Sequence, residues 1–299
     1  MELGGVGVWW SGSWNLGDDA SVDVAAELEG LGYSALWSSG GFKPGLSTRF
    51  ERLLAATSHL AVLSGIVSIW ATPADEAGRA VTDLDARFPG RFHLGIGASH
   101  APIVEHYARP YGHMVEYLDV LDTAGPAVAS DRRVLAALGP RMLRLAADRA
   151  AGAHPYFVPV EHTARAREVM GAGALLAPEL TVVLDRDPVS ARGLARTFTA
   201  GYLGLANYAN NLRSLGFTDG ELADGGSDRL VDAVVAWGSP DDIAARVHEH
   251  LAAGADRCPC TRAAMSSGEP QATTASTRRS LPPSARSSSA KPRERRLLA

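Results

Sequence analysis

Cysteine and lysine are scarce in this sequence of 299 residues. The two cysteines, Cys258 and Cys260, stand one residue apart near the C-terminus. No histidine or third cysteine is spaced to complete a metal site with them. The two lysines are outnumbered by 27 arginines, a bias typical of a GC-rich genome and without chemical meaning. The pattern therefore predicts no metal ion.

Long apolar runs are also lacking, although hydrophobic residues make up 46% of the chain. No run of 18 apolar residues occurs, so the sequence predicts no membrane span. The N-terminus lacks the basic and apolar regions of a secretory signal, which favours a cytoplasmic protein. Residues 257–299 hold nine of the 29 basic residues and only two of the 33 acidic ones, so residues 1–256 are strongly acidic. An acidic body argues against nucleic acid as a partner.

Short runs rich in Val, Ile and Leu alternate with longer stretches of helical period, which is typical of βαβ units. Seven runs predict strands at residues 6–9, 34–37, 61–70, 91–96, 134–138, 153–158 and 180–185. The helical stretches fall at residues 19–31, 48–60, 73–87, 110–123, 140–151, 161–170, 188–203, 207–215, 228–237 and 240–253. Seven strands in alternation favour an α/β fold of the (β/α)8 TIM-barrel type. A doubly wound open sheet also alternates, but it rarely needs seven such units in one domain.

Two of these helices carry start signals. Thr72 is expected to cap the helix over 73–87, since Pro73 fits a first turn that needs no backbone N–H. Ser239 is expected to cap the helix over 240–253 in the same way. Three helices between residues 188 and 237 follow one another without a predicted strand, so they are interpreted as a helical insertion.

The eighth strand of a barrel is expected after Asp256, but Pro259 and a run without apolar period stand there. The sequence therefore predicts a barrel domain over 1–256 whose eighth strand and last helix are missing. Residues 257–299 are predicted to form a disordered basic tail, disordered from about residue 261 onward. This tail is typical of a GC-rich reading frame translated out of phase. A natural basic extension is the alternative, although it leaves the barrel unclosed.

Small residues cluster where several predicted strands end, the edge at which barrel enzymes place their active sites. Ser39 follows the second strand, and Gly97, Ala98, Ser99 and His100 follow the fourth. After the fifth strand come Gly139, Pro140 and Arg141, at the start of a helix whose free N–H groups suit an anion. Glycines at successive exits leave room for a large flat ligand to approach the backbone.

These exits lie in segments that resemble the luciferase-like oxidoreductases, and within them the actinobacterial branch that uses the deazaflavin coenzyme F420. The segments are LGYSALW (31–37), GIVSIW (65–70), RFPGRFHLGIGASH (87–100), ALGPRML (137–143), AGAHPY (151–156) and WGSPDD (237–242). The resemblance covers residues 5–256. It implies a barrel that binds the deazaflavin at its C-terminal face and exchanges hydride with a small organic substrate. It also implies a homodimer.

The resemblance implies a role for each exit residue. Val67, Ser68 and Ile69 match the place where the family has a non-prolyl cis peptide under the cofactor ring. Gly97, Ala98 and Ser99 match the next wall of that pocket. Gly139 and Pro140 match the loop near the ligand phosphate. His100 takes the position of a proton-donating glutamate in a sugar-phosphate relative. Ser39 and Gly40 stand where that relative has an Asp-His pair, so this second acid/base is absent.

Two other functions fit the same residues. An FMN-dependent monooxygenase uses the same barrel, and an inactive or ligand-binding homologue needs no reaction at all. Binding of deazaflavin, of FMN, or of neither discriminates among the three.

Overall fold

The computed structural model describes residues 6–10, 17–39 and 45–262. These residues form one parallel sheet that curls on itself, with the helices packed around its outer face. The strands are β1 (Val6–Trp10), β2 (Ala35–Ser38), β3 (Ala61–Ser64), β4 (Val67–Ser68), β5 (Phe92–Gly97), β6 (Arg133–Leu135), β7 (Gly152–Ala153), β8 (Leu175–Leu176), β9 (Leu180–Val183), β10 (Val235–Trp237) and β11 (Cys258–Arg262).

The helices alternate with these strands. They are α1 (Gly17–Gly30), α2 (Leu46–Ala55), α3 (Ala74–Arg87), α4 (Pro110–Thr123), α5 (Pro140–Arg149), α6 (Val160–Met170), α7 (Pro188–Leu203), α8 (Ala206–Ser214), α9 (Asp219–Leu222), α10 (Asp228–Val234) and α11 (Pro240–Ala252). No helix among the described residues is long and apolar enough to cross a membrane.

The order of the strands confirms the predicted TIM-type α/β fold. It runs β10-β9-β11-β1-β2-β3-β5-β6-β7-β8, with β4 paired to β5. Strands β8 and β9 are successive parts of one segment. Between them, the N–H groups of Ala177 and Glu179 donate to the carbonyls of Ala153 and Pro155, at 2.9 and 2.8 Å. This segment therefore joins the two ends of the curled sheet.

The single strand predicted over 61–70 is in fact two strands. The cis peptide bond between Gly65 and Ile66 separates β3 from β4. The Ser64 hydroxyl fastens β3 to β5, since it donates to the Gly95 carbonyl at 2.9 Å and accepts from the Gly95 N–H at 2.8 Å. A Cβ on Gly95 would stand 1.8 Å from the Ser64 carbonyl oxygen, so only glycine fits there.

The two capping predictions have opposite outcomes. Ser239 caps α11 as expected: its hydroxyl accepts from the Asp242 N–H, and the Asp242 carboxylate accepts from the Ser239 N–H in return. The Thr72 prediction is wrong, because Pro73 itself is the N-cap residue of α3 and no side chain bonds to that helix end. Proline begins the helix through its fixed φ, and the threonine lies one residue too early.

The prediction that the eighth strand is missing is wrong. Strand β11 lies between β1 and β9 and pairs in parallel with both, with Cys258 opposite Val6 and Cys260 opposite Leu180. Pro259 stands opposite Gly7 and leaves the ladder one donor short, while its neighbours pair normally. Cys258 is fully buried and packs with Val247 of α11, so small residues fill a position where an apolar run was expected.

The predicted tail is therefore partly corrected. Thr261 and Arg262, expected to be disordered, belong to β11. Residues 263–299 lie outside the described residues, and so does the part of the chain where the last helix is predicted to be missing. The disorder predicted for residues 263–299 therefore stays a prediction.

The helical insertion is confirmed as α7 to α10, but its last predicted residues form β10 beside β9. The bidentate pair of Arg192 and Asp232 joins α7 to α10, with nitrogen–oxygen distances of 2.9 and 2.5 Å. The Trp237 indole donates to the same carboxylate at 2.7 Å. These contacts hold the insertion against the sheet, next to the carboxyl end of β9.

Candidate active site

A cavity of about 670 Å3 opens at the carboxyl ends of the strands. Its lining comes from strand exits between β1 and β7, from the start of α5, and from α7 and α8. Nine of the eleven residues singled out from the sequence line it: Ser39, Ser68, Gly97, Ala98, Ser99, His100, Gly139, Pro140 and Arg141. The fold thus brings residues from four separate strand exits around one space.

The other two predicted residues, Val67 and Ile69, do not line the cavity. Both are buried in the hydrophobic core, while Ser68 between them faces the cavity because neighbouring side chains of a strand alternate. The cis peptide was also misplaced by the resemblance: it joins Gly65 to Ile66, and these two residues are part of the lining.

One side of the cavity is built from Gly65, Gly97, Ala98, Ala136 and Gly139, which we call the small-residue wall. A Cβ on Gly97 would lie 2.8 Å from the side chain of Ile66, which also lines the cavity, so this side chain covers the Gly97 backbone closely. Gly139 differs, because a Cβ there would meet no atom of the described chain within 4 Å. Open space in front of the backbone is therefore found at Gly139, at the end of the wall, where a ligand can approach closely.

Helix α5 begins at the end of this wall. Its N-cap is Gly139, which has no side chain to bond the helix end, and Pro140 fills the first turn. The N–H groups of Arg141 and Met142 belong to the first turn, where an α-helix supplies no carbonyl partner. The Arg141 guanidinium lies 4.2 Å from the centroid of the Tyr111 ring. An uncapped helix start beside an arginine is suited to a phosphate or carboxylate group.

His100 follows β5 after a residue, Ser99, with a left-handed φ of 56°. Its Nδ1–H donates to the side-chain oxygen of Asn207 at 2.8 Å, and its ring centroid lies 5.0 Å from that of Tyr208. Burial lowers the pKa of His100 below 6.5, although the Asn207 bond opposes this. At neutral pH the imidazole is therefore uncharged, with Nε2 able to accept a proton. This protonation state differs from the proton donor that the resemblance implies.

His154 also reaches the lining, just beyond β7. Its Nδ1–H donates to the Ala177 carbonyl at 2.6 Å, and its ring stacks on Trp37 with a centroid distance of 5.6 Å. Burial lowers the pKa of His154 to about 4, so the ring is neutral. Among the described residues, its Nε2 has no hydrogen-bond partner.

A second side of the cavity is formed by Trp9, Tyr156, Tyr202 and Tyr208, which we call the aromatic wall. Ring centroids lie 5.6 Å apart for Trp9 and Tyr156, and 5.3 Å apart for Tyr156 and Tyr202. The hydroxyl oxygens of Tyr156 and Tyr202 are 3.1 Å apart. Burial raises the pKa of Tyr156, Tyr202 and Tyr208, so all three stay protonated phenols.

A buried carboxyl group stands behind the aromatic wall. Glu179 is 1% exposed, and its Oε1 accepts from the Thr181 hydroxyl at 2.8 Å. Burial raises the pKa of Glu179 to about 7, against the hydrogen bond from the Thr181 hydroxyl, which lowers it. The pKa of the Tyr156 phenol is raised mainly by burial and, second, by the nearby Glu179 carboxyl. The carboxyl therefore carries a fraction of a proton near neutral pH.

Sequence reasoning missed most of the aromatic wall. Tyr156 stands just beyond the end of β7, and this strand-exit position was the signal available for it. Tyr202, Asn207 and Tyr208 lie on insertion helices whose docking the sequence does not specify, so no local pattern pointed to them. Trp9 belongs to β1 and also lines the cavity.

The family model described as "Luciferase-like monooxygenase" matches residues 19–257. That match spans well over half of the chain, and the chain belongs to the luciferase-like monooxygenase family. A search of the curated proteins finds no match.

Solved structures share the fold. An F420-dependent secondary alcohol dehydrogenase in complex with an F420-acetone adduct aligns with a TM-score of 0.68 and 12% identity, over 88% of this chain and 94% of its own. The coenzyme F420-dependent tetrahydromethanopterin reductase of Methanopyrus kandleri aligns with a TM-score of 0.65 and 14% identity. The alignment covers 87% of this chain and 93% of the reductase. A third structure is the oxygenating constituent of 3,6-diketocamphane monooxygenase from Pseudomonas putida in complex with FMN. It aligns with a TM-score of 0.60 and 17% identity, over 86% of this chain and 91% of its own. At such identities the likeness is one of fold.

Proposed function

We propose that this protein is an oxidoreductase that exchanges hydride between coenzyme F420 and a small organic substrate. The observation that carries the proposal is the small-residue wall leading directly to the uncapped start of α5 and Arg141. A planar ring with a phosphate-bearing tail needs this combination of a flat open surface and an anion site at its edge. Two of the solved structures with this fold are F420-dependent by their descriptions.

The residues present fit such a cofactor. The space in front of Gly139 is occupied by no side chain of the described residues, and Gly97 and Ala98 add only small side chains or none to the same wall. The N–H groups of Arg141 and Met142 would hold the phosphate, with the Arg141 guanidinium beside it. When bound, the deazaflavin supplies a ring carbon that takes up or gives back hydride.

His100 would manage the proton that accompanies this hydride. In the oxidising direction, the substrate carbon loses hydride while its hydroxyl proton passes to Nε2, and a carbonyl group results. The bond from Nδ1–H to Asn207 fixes the tautomer that leaves Nε2 free to accept. In the reducing direction the same nitrogen returns the proton to the carbonyl oxygen. Because burial lowers the pKa of His100, turnover in the oxidising direction should fall as acid protonates it.

FMN is the second candidate, with monooxygenation as its reaction. The observations that favour it are the FMN-bound structure of the same fold and the description of the family model. The same wall and helix start would receive its phosphate.

Fluorescence-quenching titrations of the purified chain with F420 and with FMN separate the two. We expect F420 to bind at least tenfold more tightly, equivalent to about 1.4 kcal/mol. Tighter binding of FMN would overturn the deazaflavin assignment, and binding of neither would favour the ligand-binding or inactive homologue.

A further inference from the structure

We propose that the aromatic wall is a subsite for a neutral, largely apolar substrate that has a cyclic or branched hydrocarbon body and one carbonyl or hydroxyl group. This inference rests on the proposed function, since it names the substrate class of the same cavity. It excludes phosphorylated and carboxylate substrates.

The rings of the wall are held in place by one another. Tyr202 and Tyr208 meet edge to face with centroids 5.4 Å apart, and Tyr202 stacks on Phe157 at 5.1 Å. Because each ring is packed from behind, the wall offers fixed apolar faces to the cavity. Such faces favour flat or cyclic hydrocarbon groups, whose burial releases apolar surface from water.

The charges around the cavity point to a neutral compound. Among the described lining residues there is no carboxylate, and the single arginine, Arg141, belongs to the anion site at α5. The two lining histidines, His100 and His154, both have a lowered pKa and are neutral at neutral pH. A second anion would be buried without a counter-charge, which is strongly unfavourable.

A polar anchor for one oxygen atom is present within the wall. The hydroxyls of Tyr156 and Tyr202 face each other at 3.1 Å, and one of them donates to the other. The remaining phenol proton is then available to a ligand oxygen. His100 touches the same wall through Tyr208, so an oxygen bound there lies on the side of the cavity that carries the proposed proton acceptor.

The first test uses the unchanged protein and measures binding, not turnover. Tryptophan fluorescence is titrated with acetophenone, benzoate and glucose 6-phosphate, in the presence and absence of F420. We expect acetophenone to bind at least tenfold more tightly than either anion. Preference for benzoate or the sugar phosphate in the presence of F420, which fills the anion site at α5, would overturn the subsite assignment. Failure of F420 to bind would instead count against the proposed function alone.

The second test places a charge in the wall. Leu205 is half-buried and lines the cavity beside Tyr202 and Tyr208. Leu205→Arg should weaken acetophenone binding about tenfold and strengthen benzoate binding by a similar factor. Val189→Arg is the matched control, since Val189 is 82% exposed on α7. Unchanged selectivity in the Leu205 variant, with binding otherwise intact, would contradict the proposal.

The third test probes the anchor. Tyr156→Phe and Tyr202→Phe are compared, since each keeps its ring and removes its hydroxyl. The variant that lacks the free phenol proton decides the test. It should weaken the binding of acetophenone about three- to tenfold and leave the binding of ethylbenzene unchanged, because only the ketone accepts a hydrogen bond from the phenol. Equal loss for both ligands would show that the hydroxyl binds no substrate oxygen.

Discussion

The small-residue wall and the aromatic wall enclose the same cavity, but they are built from different parts of the chain. The first comes from the exits of consecutive strands, where glycine and alanine expose backbone. The second joins the ends of β1 and β7 to insertion helices α7 and α8, and it exposes rings. Barrel strands thus supply a surface for a large flat group, while the insertion supplies the side chains that select a smaller partner.

The largest effect is expected where the two walls meet, at His100. His100→Ala should lower turnover about 10²- to 10⁴-fold, because the substrate proton loses its acceptor, while F420 affinity stays within about twofold. Steady-state kinetics and fluorescence titration measure the two quantities. His106→Ala is the matched control, since His106 is exposed and outside the described lining of the cavity. Parallel loss of turnover and cofactor affinity would make His100 a pocket wall and not a proton acceptor.

A smaller effect is expected at the start of α5, on the small-residue wall. Gly139→Asp should weaken F420 binding about ten- to a hundredfold, because its carboxylate would cap the helix and repel the ligand phosphate. The folded chain should be no less stable, since aspartate is a favoured N-cap residue.

Gly139→Asn separates charge from size in that experiment. It caps the same helix end without a negative charge, so it should weaken F420 binding much less than aspartate does. If asparagine and aspartate weaken binding equally, or if neither does, the phosphate does not lie at this helix.

The smallest effect concerns Glu179, behind the aromatic wall. Its pKa is about 7 in the folded chain against 4.5 for an ordinary glutamate, so folding favours the protonated form. Its contribution to stability is fully present below pH 4.5 and is lost as the pH rises through 7. Glu179→Gln should therefore raise the free energy of unfolding by about 1–3 kcal/mol at pH 8 and change it little at pH 4.5.

Denaturant unfolding at the two pH values measures this difference. The lowered pKa of the buried His154 destabilises both chains equally in acid, so it cancels from the comparison. Glu161→Gln, at an exposed position of α6, is the control. A glutamine variant less stable than the wild type at pH 8 would mean that the ionised carboxylate is well solvated or paired.

The fold and the small-residue wall could largely be predicted from the sequence, because both depend on local patterns. Alternation of strands and helices sets the barrel, and Gly97 and Gly139 directly follow the strands predicted over 91–96 and 134–138. The position of the cis peptide bond was predicted wrongly, at residues 67–69 instead of between Gly65 and Ile66, because no local side-chain pattern marks it.

The remaining features depend on tertiary contacts that no local pattern encodes. Strand β11 forms around Pro259 because β1 and β9 pair with it on both sides. Tyr156 and Tyr202 lie 46 positions apart and meet only because α7 docks on the sheet.

The most direct test of this division between the walls is an amide NMR titration of the full chain, with F420 and acetophenone added separately. The account predicts that F420 shifts the amide signals of Gly97, Ala98, Arg141 and Met142. Acetophenone should shift those of Tyr156, Tyr202 and Asn207 instead. Shifts of the second set by F420, with Arg141 and Met142 unaffected, would contradict the assignment of the cofactor to the small-residue wall.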